Sequence, residues 1–247
     1  MVPMESATIN RCADIRRPTL RRTLAEPIAL IRPAPAIALD ELVAQAPSGD
    51  RRAVLVLPPL GRGDAVTATV RTFLARVGYR AYGWGLGVNV GPTQRLLEGS
   101  AALLAQLCAS HGPVSLLGFS LGGLFARWLA LHSPGSVREV ITVCSPINDP
   151  AAAFWLPLAP FLGLWPGYDL RILAEEVRQP LPMSRTILFS RDDGIVNWRS
   201  CVDASCPGDC FEISGPHTLI ARNPQVMRIV AARLGESRRP GAPSRAK

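Results

Sequence analysis

Histidine is scarce in this 247-residue chain, which has only His111, His132 and His217, and 26 of its 27 basic residues are arginine. Of six cysteines, Cys12, Cys108, Cys144, Cys201, Cys206 and Cys210, only the last three cluster. A closed zinc site needs about four ligands; the cysteine cluster has only His217 in its half of the chain, so no metal is assigned. A disulfide within the cluster, such as Cys201 with Cys210, is one option, with reduced thiols the default. Cys108 and Cys144 fall in apolar segments, where cysteine acts as a small hydrophobe.

Uninterrupted apolar runs are missing too. The longest, "AAAFWLPLAPFLGLWPGY" from Ala151, is broken by Pro157, Pro160 and Pro166 and falls short of the roughly 20 residues that span a bilayer. Residues 1–30 have no apolar core behind a basic start, so they do not read as a secretory signal, and a cytoplasmic location is the default expectation. The formal net charge of +8 could attract nucleic acid or an anionic membrane. There is, however, no long basic run, no zinc-finger spacing and no basic patch interleaved with aromatics. A solvated basic surface is expected, with no nucleic-acid partner and with peripheral membrane contact left open. "GLGVNVG" at Gly85–Gly91 lacks the spacing and context of a dinucleotide loop, and no cofactor is expected.

What is present is ample apolar surface, 48% hydrophobic against 19% charged residues, enough to bury the core of one sizeable domain. Residues 1–50 form an arginine-, alanine- and proline-rich N-terminal extension with helix-compatible pieces near 19–31 and 36–46. From Arg52 onward, short apolar runs alternate with helix-length amphipathic ones, the pattern of a parallel sheet with crossover helices. Strands are expected at 53–57, 79–84, 113–117, 139–143, 185–190 and 210–214. Helices are expected at 65–77, 94–110, 121–132 and 219–234, with an irregular apolar insertion over 146–182. No internal repeat occurs.

In open α/β sheets, sites form beyond the carboxyl ends of the strands. Ser120 stands at such an end in "VSLLGFSLGGLFARWLA", between a strand and a helix that starts at once. Small residues at Gly118 and Gly122 relieve crowding in a tight turn, Gly123 lets the helix pack closely, and the helix N-terminus supplies N–H groups and partial positive charge for an oxyanion. A serine hydroxyl needs a nearby base. His111 and His132 both end helices on the wrong side of the sheet; His217, in "ISGPHTLIARNP", follows the last strand on the right one. The base in turn needs an acid, and "ILFSRDDGIVNW" puts Asp192 and Asp193 directly after an apolar strand.

With "GFSLGG", "SRDDGIVNW" and "GPHTL" in this order and spacing, the chain from about Ala53 to Leu234 resembles an α/β-hydrolase of the lipase/esterase type. The resemblance implies the α/β-hydrolase fold and a Ser120, Asp193, His217 triad. Asp193 is favoured over Asp192 because the family's acid stands in a D-x-x-V element, here Asp193–Val196; Asp149 is the position some lipases use instead. It further implies an oxyanion hole from the N–H groups of Leu121 and, aligning Pro58–Pro59 with the family's H-G or P-G pair, of Leu60. Pro59 departs from the usual glycine, and "GPHTL" from the usual "GSHxG". "YGWGLGVNVGP" at 82–92 is similar to an element in a group of bacterial hydrolases of the superfamily.

The insertion lies where lipases place a lid. Its aromatics Phe154, Trp155, Phe161 and Trp165 either cover the core or line an apolar substrate pocket. The expected function is hydrolysis of apolar or lipid-like carboxylic esters through an acyl-enzyme. The alternatives are an acyltransferase using the same triad and a non-catalytic binding protein on a hydrolase scaffold.

Overall fold

A computed structural model describes residues 18–31, 38–149, 170–202 and 209–236. Six strands form one all-parallel sheet: β1 (Ala53–Leu57), β2 (Arg80–Gly83), β3 (Val114–Phe119), β4 (Val137–Val143), β5 (Ser184–Ser190) and β6 (Cys210–Ile213), in the order β2-β1-β3-β4-β5-β6. Parallel neighbours require crossovers. These are supplied by α3 (Ala68–Arg76), α4 (Gln94–His111), α5 (Leu121–His132), α6 (Leu170–Val177) and α7 (Trp198–Cys201), while α1 (Leu20–Ile31), α2 (Leu39–Gln45) and α8 (Pro224–Glu236) complete the set.

The central strands are buried on both faces, so they read as continuous apolar runs. Alternation still sorts their side chains. Val54, Val56, Leu117, Phe119, Ile141 and Val143 face a layer built from α3 and α8, through residues such as Phe73, Leu74, Met227 and Val230. Leu55, Leu57, Leu116 and Val140 face α4, α5 and α6, through Leu96, Leu104, Phe125 and Leu173. Each fully buried side chain of this size contributes about 1.5–3 kcal/mol, which makes the two apolar layers the main source of stability.

Polar anchors fix the ends of the helices. Thr93 Oγ1 accepts from Leu96 N at the start of α4, and Gly112, at a φ of 73°, ends that helix by donating to Cys108 O, a turn that favours glycine. Arg127 of α5 is buried, yet its guanidinium donates to the carbonyls of Val177 (2.5 Å) and Gln179 (2.8 Å). A cation on the last carbonyls of a helix is favourable both as a cap and against the helix dipole. Arg127 thereby fixes α6, through which the chain returns from residues 150–169 to β5.

Several boundaries differ from those read in the sequence. The expected closing helix over 219–234 is a 3-10 segment at His217–Arg222 followed by α8. Pro224 has no N–H to continue a helix but suits the first position of a new one. The region 146–182 is not irregular throughout, because α6 lies in it, with Leu173 and Val177 docked on the sheet. Helix α3 begins at Ala68 rather than Ala65, the preceding residues forming turns such as Val66 N to Gly63 O. Cys201 is a buried free thiol, so the Cys201–Cys210 disulfide is not formed. No helix among the described residues is long and apolar enough to cross a membrane.

Candidate active site

The strand order reverses direction between β1 and β3, and the carboxyl ends of strands at such a switch are where open α/β sheets hold ligands. Ser120 stands directly after β3 at φ 51°, ψ −120°. This is a conformation that costs a side-chain-bearing residue about 1–3 kcal/mol, and the fold enforces it. A Cβ on Gly118 would overlap the Gly122 carbonyl and the Gly123 backbone, one on Gly122 would run into the Leu57 carbonyl, and one on Gly123 would collide with Ser145 Oγ. Gly122→Ala is therefore expected to destabilise the fold by about 1–3 kcal/mol. That is about 2–4 °C of melting temperature per kcal/mol for a chain this size, measurable by thermal denaturation; an unchanged melting temperature would contradict the packing.

Helix α5 begins at the residue after Ser120, so the N–H of Leu121 has no intrahelical acceptor. Leu60 follows β1 in the facing loop. Among the described residues neither N–H donates to another group, which leaves both available to a ligand. The Leu60 loop is held from behind by Asn89, which is fully buried. Its Nδ2 donates to Pro58 O at 2.8 Å, its carbonyl accepts from Gly61 N at 2.7 Å and its N–H donates to Arg62 O at 2.8 Å. The glycine-rich stretch around residues 82–92 thus acts as a brace for the loop after β1. Asp64 closes the arrangement by accepting from Trp84 N and Gly85 N, both at 3.0 Å.

Asp193 and His217 come from the loops after β5 and β6, at the same carboxyl end of the parallel sheet as Ser120, and meet each other there. His217 Nδ1 donates to Asp193 Oδ2 at 2.6 Å, while Asp193 Oδ1 accepts from Ile195 N (2.8 Å) and Val196 N (2.7 Å). Three donors on one carboxylate fix its orientation. Asp192 points elsewhere and accepts from Gly215 N at 3.0 Å; Asp149 lies after β4, and it is Asp193 that receives the imidazole. Ser120, Asp193 and His217 are all buried, at 8%, 3% and 7% relative exposure, so their interactions are little screened by water.

Burial alone would pull the His217 pKa down. The charge of Asp193, its hydrogen bond to the ring and the charge of Glu26 outweigh that and hold His217 above the ordinary imidazole value. The other two histidines serve the scaffold: His111 bonds Tyr82 Oη at 2.7 Å, and His132 Nδ1 lies 2.9 Å from Trp128 O.

Two residues in this site carry no signature in the sequence. Cys144, at a φ of 49° directly after β4, brings its thiol to within 4.8 Å of Asp193 and His217. Burial, then the negative charge of Asp193, push that thiol well up, so it stays neutral beside the carboxylate. A metal held by Cys144, Asp193 and His217 would need the thiolate and would have to displace the 2.6 Å hydrogen bond, so the donor chemistry fits a hydrogen-bonded pair better. The second is Glu26 of α1, whose buried carboxylate accepts from Gly194 N, His217 N and Thr218 N. The only cue was a lone acid in an amphipathic helix. Phe154, Trp155, Phe161 and Trp165, expected to line a pocket, lie outside the described residues.

A parallel sheet in this order, a strained serine turn after β3 and an acid–imidazole pair after the following strands define the α/β-hydrolase class, and the chain has that fold. Within the class, residues 101–191 match the family model described as esterase. No curated protein sequence matches the chain. Among solved structures it is similar to the monoacylglycerol lipase of Paleococcus ferrophilus, at 16% identity and TM-score 0.58, covering 78% of this chain and 97% of that one. A structure of the metagenome-derived lipolytic enzymes LipS and LipT matches at 15% identity and TM-score 0.58, covering 78% and 96%. An α/β-hydrolase from the sediment metagenome of the Mar Chica lagoon, Morocco, matches at 16% identity and TM-score 0.54, covering 77% and 93%.

Proposed function

We propose that the protein is a serine hydrolase of apolar or lipid-like carboxylic esters, acting through an acyl-enzyme. The observation that carries this reading is the 2.6 Å Asp193–His217 bond at the same carboxyl end of the parallel sheet as the strained Ser120 turn. The esterase family match and the lipolytic enzymes among the similar folds support it. Ser120 Oγ adds to the ester carbonyl carbon as its proton passes to His217 Nε2, and the Leu60 and Leu121 N–H groups take the charge on the carbonyl oxygen. Collapse expels the alcohol, which receives that proton from His217. Water then adds to the acyl-enzyme with His217 again as base, releasing the acid and Ser120. Asp193 stabilises the imidazolium in both halves.

The test is turnover of p-nitrophenyl esters of graded acyl length together with labelling by a fluorophosphonate probe. Hydrolysis and covalent labelling at Ser120 are expected; a folded protein that does neither refutes the reading. The pH profile is a second check. His217 must be neutral to act as base, and its pKa is held above the ordinary value. The ratio kcat/KM, which reports the free enzyme, should therefore fall with decreasing pH through a midpoint above the usual imidazole range and reach its plateau on the alkaline side.

A further inference from the structure

Three backbone N–H groups at the rim of the site converge on one side chain that the hydrolytic scheme does not use. Glu26 Oε1 accepts from Gly194 N and from His217 N, both at 2.8 Å, and Oε2 accepts from Thr218 N at 2.9 Å. Gly194 adjoins the acid Asp193, and His217 is the base, so one carboxylate ties the loop after β5 to the loop after β6. The neighbouring turn of α1 strengthens the joint, with Thr23 Oγ1 donating to Gly194 O at 2.8 Å. Contact is close enough that a Cβ on Gly194 would strike the Arg22 carbonyl and Glu26 Cγ.

Glu26 is only 3% exposed. Burying a carboxylate is costly unless it is paired or well hydrogen-bonded, and among the described residues its partners are N–H groups, with no arginine on it. An apolar side chain would dock a helix at lower cost but would leave these three donors unpaired. The charge itself also has a use. When His217 takes the serine proton it becomes a buried cation, and the titratable groups facing it are Asp193 after β5, Glu26 of α1 and the neutral Cys144 thiol after β4. Two carboxylates therefore oppose the cost of burying that cation.

We infer that Glu26 is a positioning residue, which locks the Asp193 and His217 loops to one another and supports the imidazolium, making α1 part of the machinery although it precedes the sheet in the chain. This rests on the hydrolase reading above. Only part of the role is steric: Gln retains the shape of Glu but loses the charge and one acceptor oxygen, whereas Ala loses both acceptor oxygens and all three bonds.

The experiment compares full-length wild type, Glu26→Gln and Glu26→Ala for kcat and KM across pH with p-nitrophenyl butyrate, alongside thermal unfolding of each. In the variants kcat should fall by about 10-fold for Gln and about 10²-fold for Ala, with KM within about twofold, because misplacement of reacting groups acts mainly on the transition state. The acid limb should move to lower pH in both, since a charge that favours protonated His217 is gone. Wild-type kcat and acid limb in both variants would overturn the inference. So would a loss in Glu26→Ala that merely tracks unfolded protein while Glu26→Gln behaves as wild type. Failure of the underlying reading looks different: wild type would be inactive, or its turnover would persist without Ser120.

Discussion

Ser120→Ala is expected to remove ester turnover, lowering kcat by a factor on the order of 10⁶ while leaving substrate binding close to wild type. Losing a nucleophile forfeits the covalent route entirely, and what remains, on the order of 10³–10⁴ over water in enzymes of this kind, comes from the oxyanion donors and binding. The variant is informative because the fold should hardly notice it. Alanine meets the same φ of 51° as serine does, the crowding around the turn belongs to Gly118, Gly122 and Gly123, and Ser120 N still donates to Val143 O. Steady-state turnover, fluorophosphonate labelling and melting temperature measured together separate chemistry from folding. Turnover that persists in folded Ser120→Ala would remove Ser120 from the mechanism.

The next largest effect is expected from Asp193→Asn, about 10⁴ in kcat. Asp193 Oδ1 accepts two backbone N–H groups and Oδ2 accepts the His217 Nδ1–H. An asparagine must keep its oxygen on the two backbone donors, which turns its NH2 toward His217. The ring then accepts at Nδ1 and carries its proton on Nε2, the nitrogen that should receive the serine proton. The same change removes the charge that most offsets the cost of burying protonated His217. The acid limb of kcat/KM should thus move to lower pH even as the plateau collapses. A plateau within about tenfold of wild type would show that Asp193 does not hold the tautomer of His217 during turnover.

Strand and helix positions in the sheet were largely legible because the central strands are continuous apolar runs and the helices carry a single buried face. β1 and α5 occupy the spans read for them, and β3 runs to Phe119, two residues beyond the expected end, before the Ser120 turn. The helical pattern runs on through Pro224, but proline starts α8 there rather than lying inside a longer helix. α6 was hidden because its apolar residues sit in a stretch whose composition reads as insertion throughout. In the candidate site, the strand-end rule pointed to Ser120, Asp193 and His217 because their polar character stands out after apolar strands. Cys144 stood at the same kind of strand end but looked like core, since a thiol is chemically silent in a hydrophobic pattern. Glu26 was beyond the reach of local pattern, its role being set by backbone N–H groups about 170 to 190 residues away.

That separation bears on how the protein comes to be assembled. The Ser120 turn is local, built by β3 and α5 within a few residues of each other, whereas Glu26 and His217 are 191 residues apart. Closing so long a loop carries an entropy cost that grows with its length, and contacts of this range tend to form late. A nascent or partly folded chain can therefore form the Ser120 turn before His217 is in position. The contact between residues 26 and 217 is thus a property of the finished molecule.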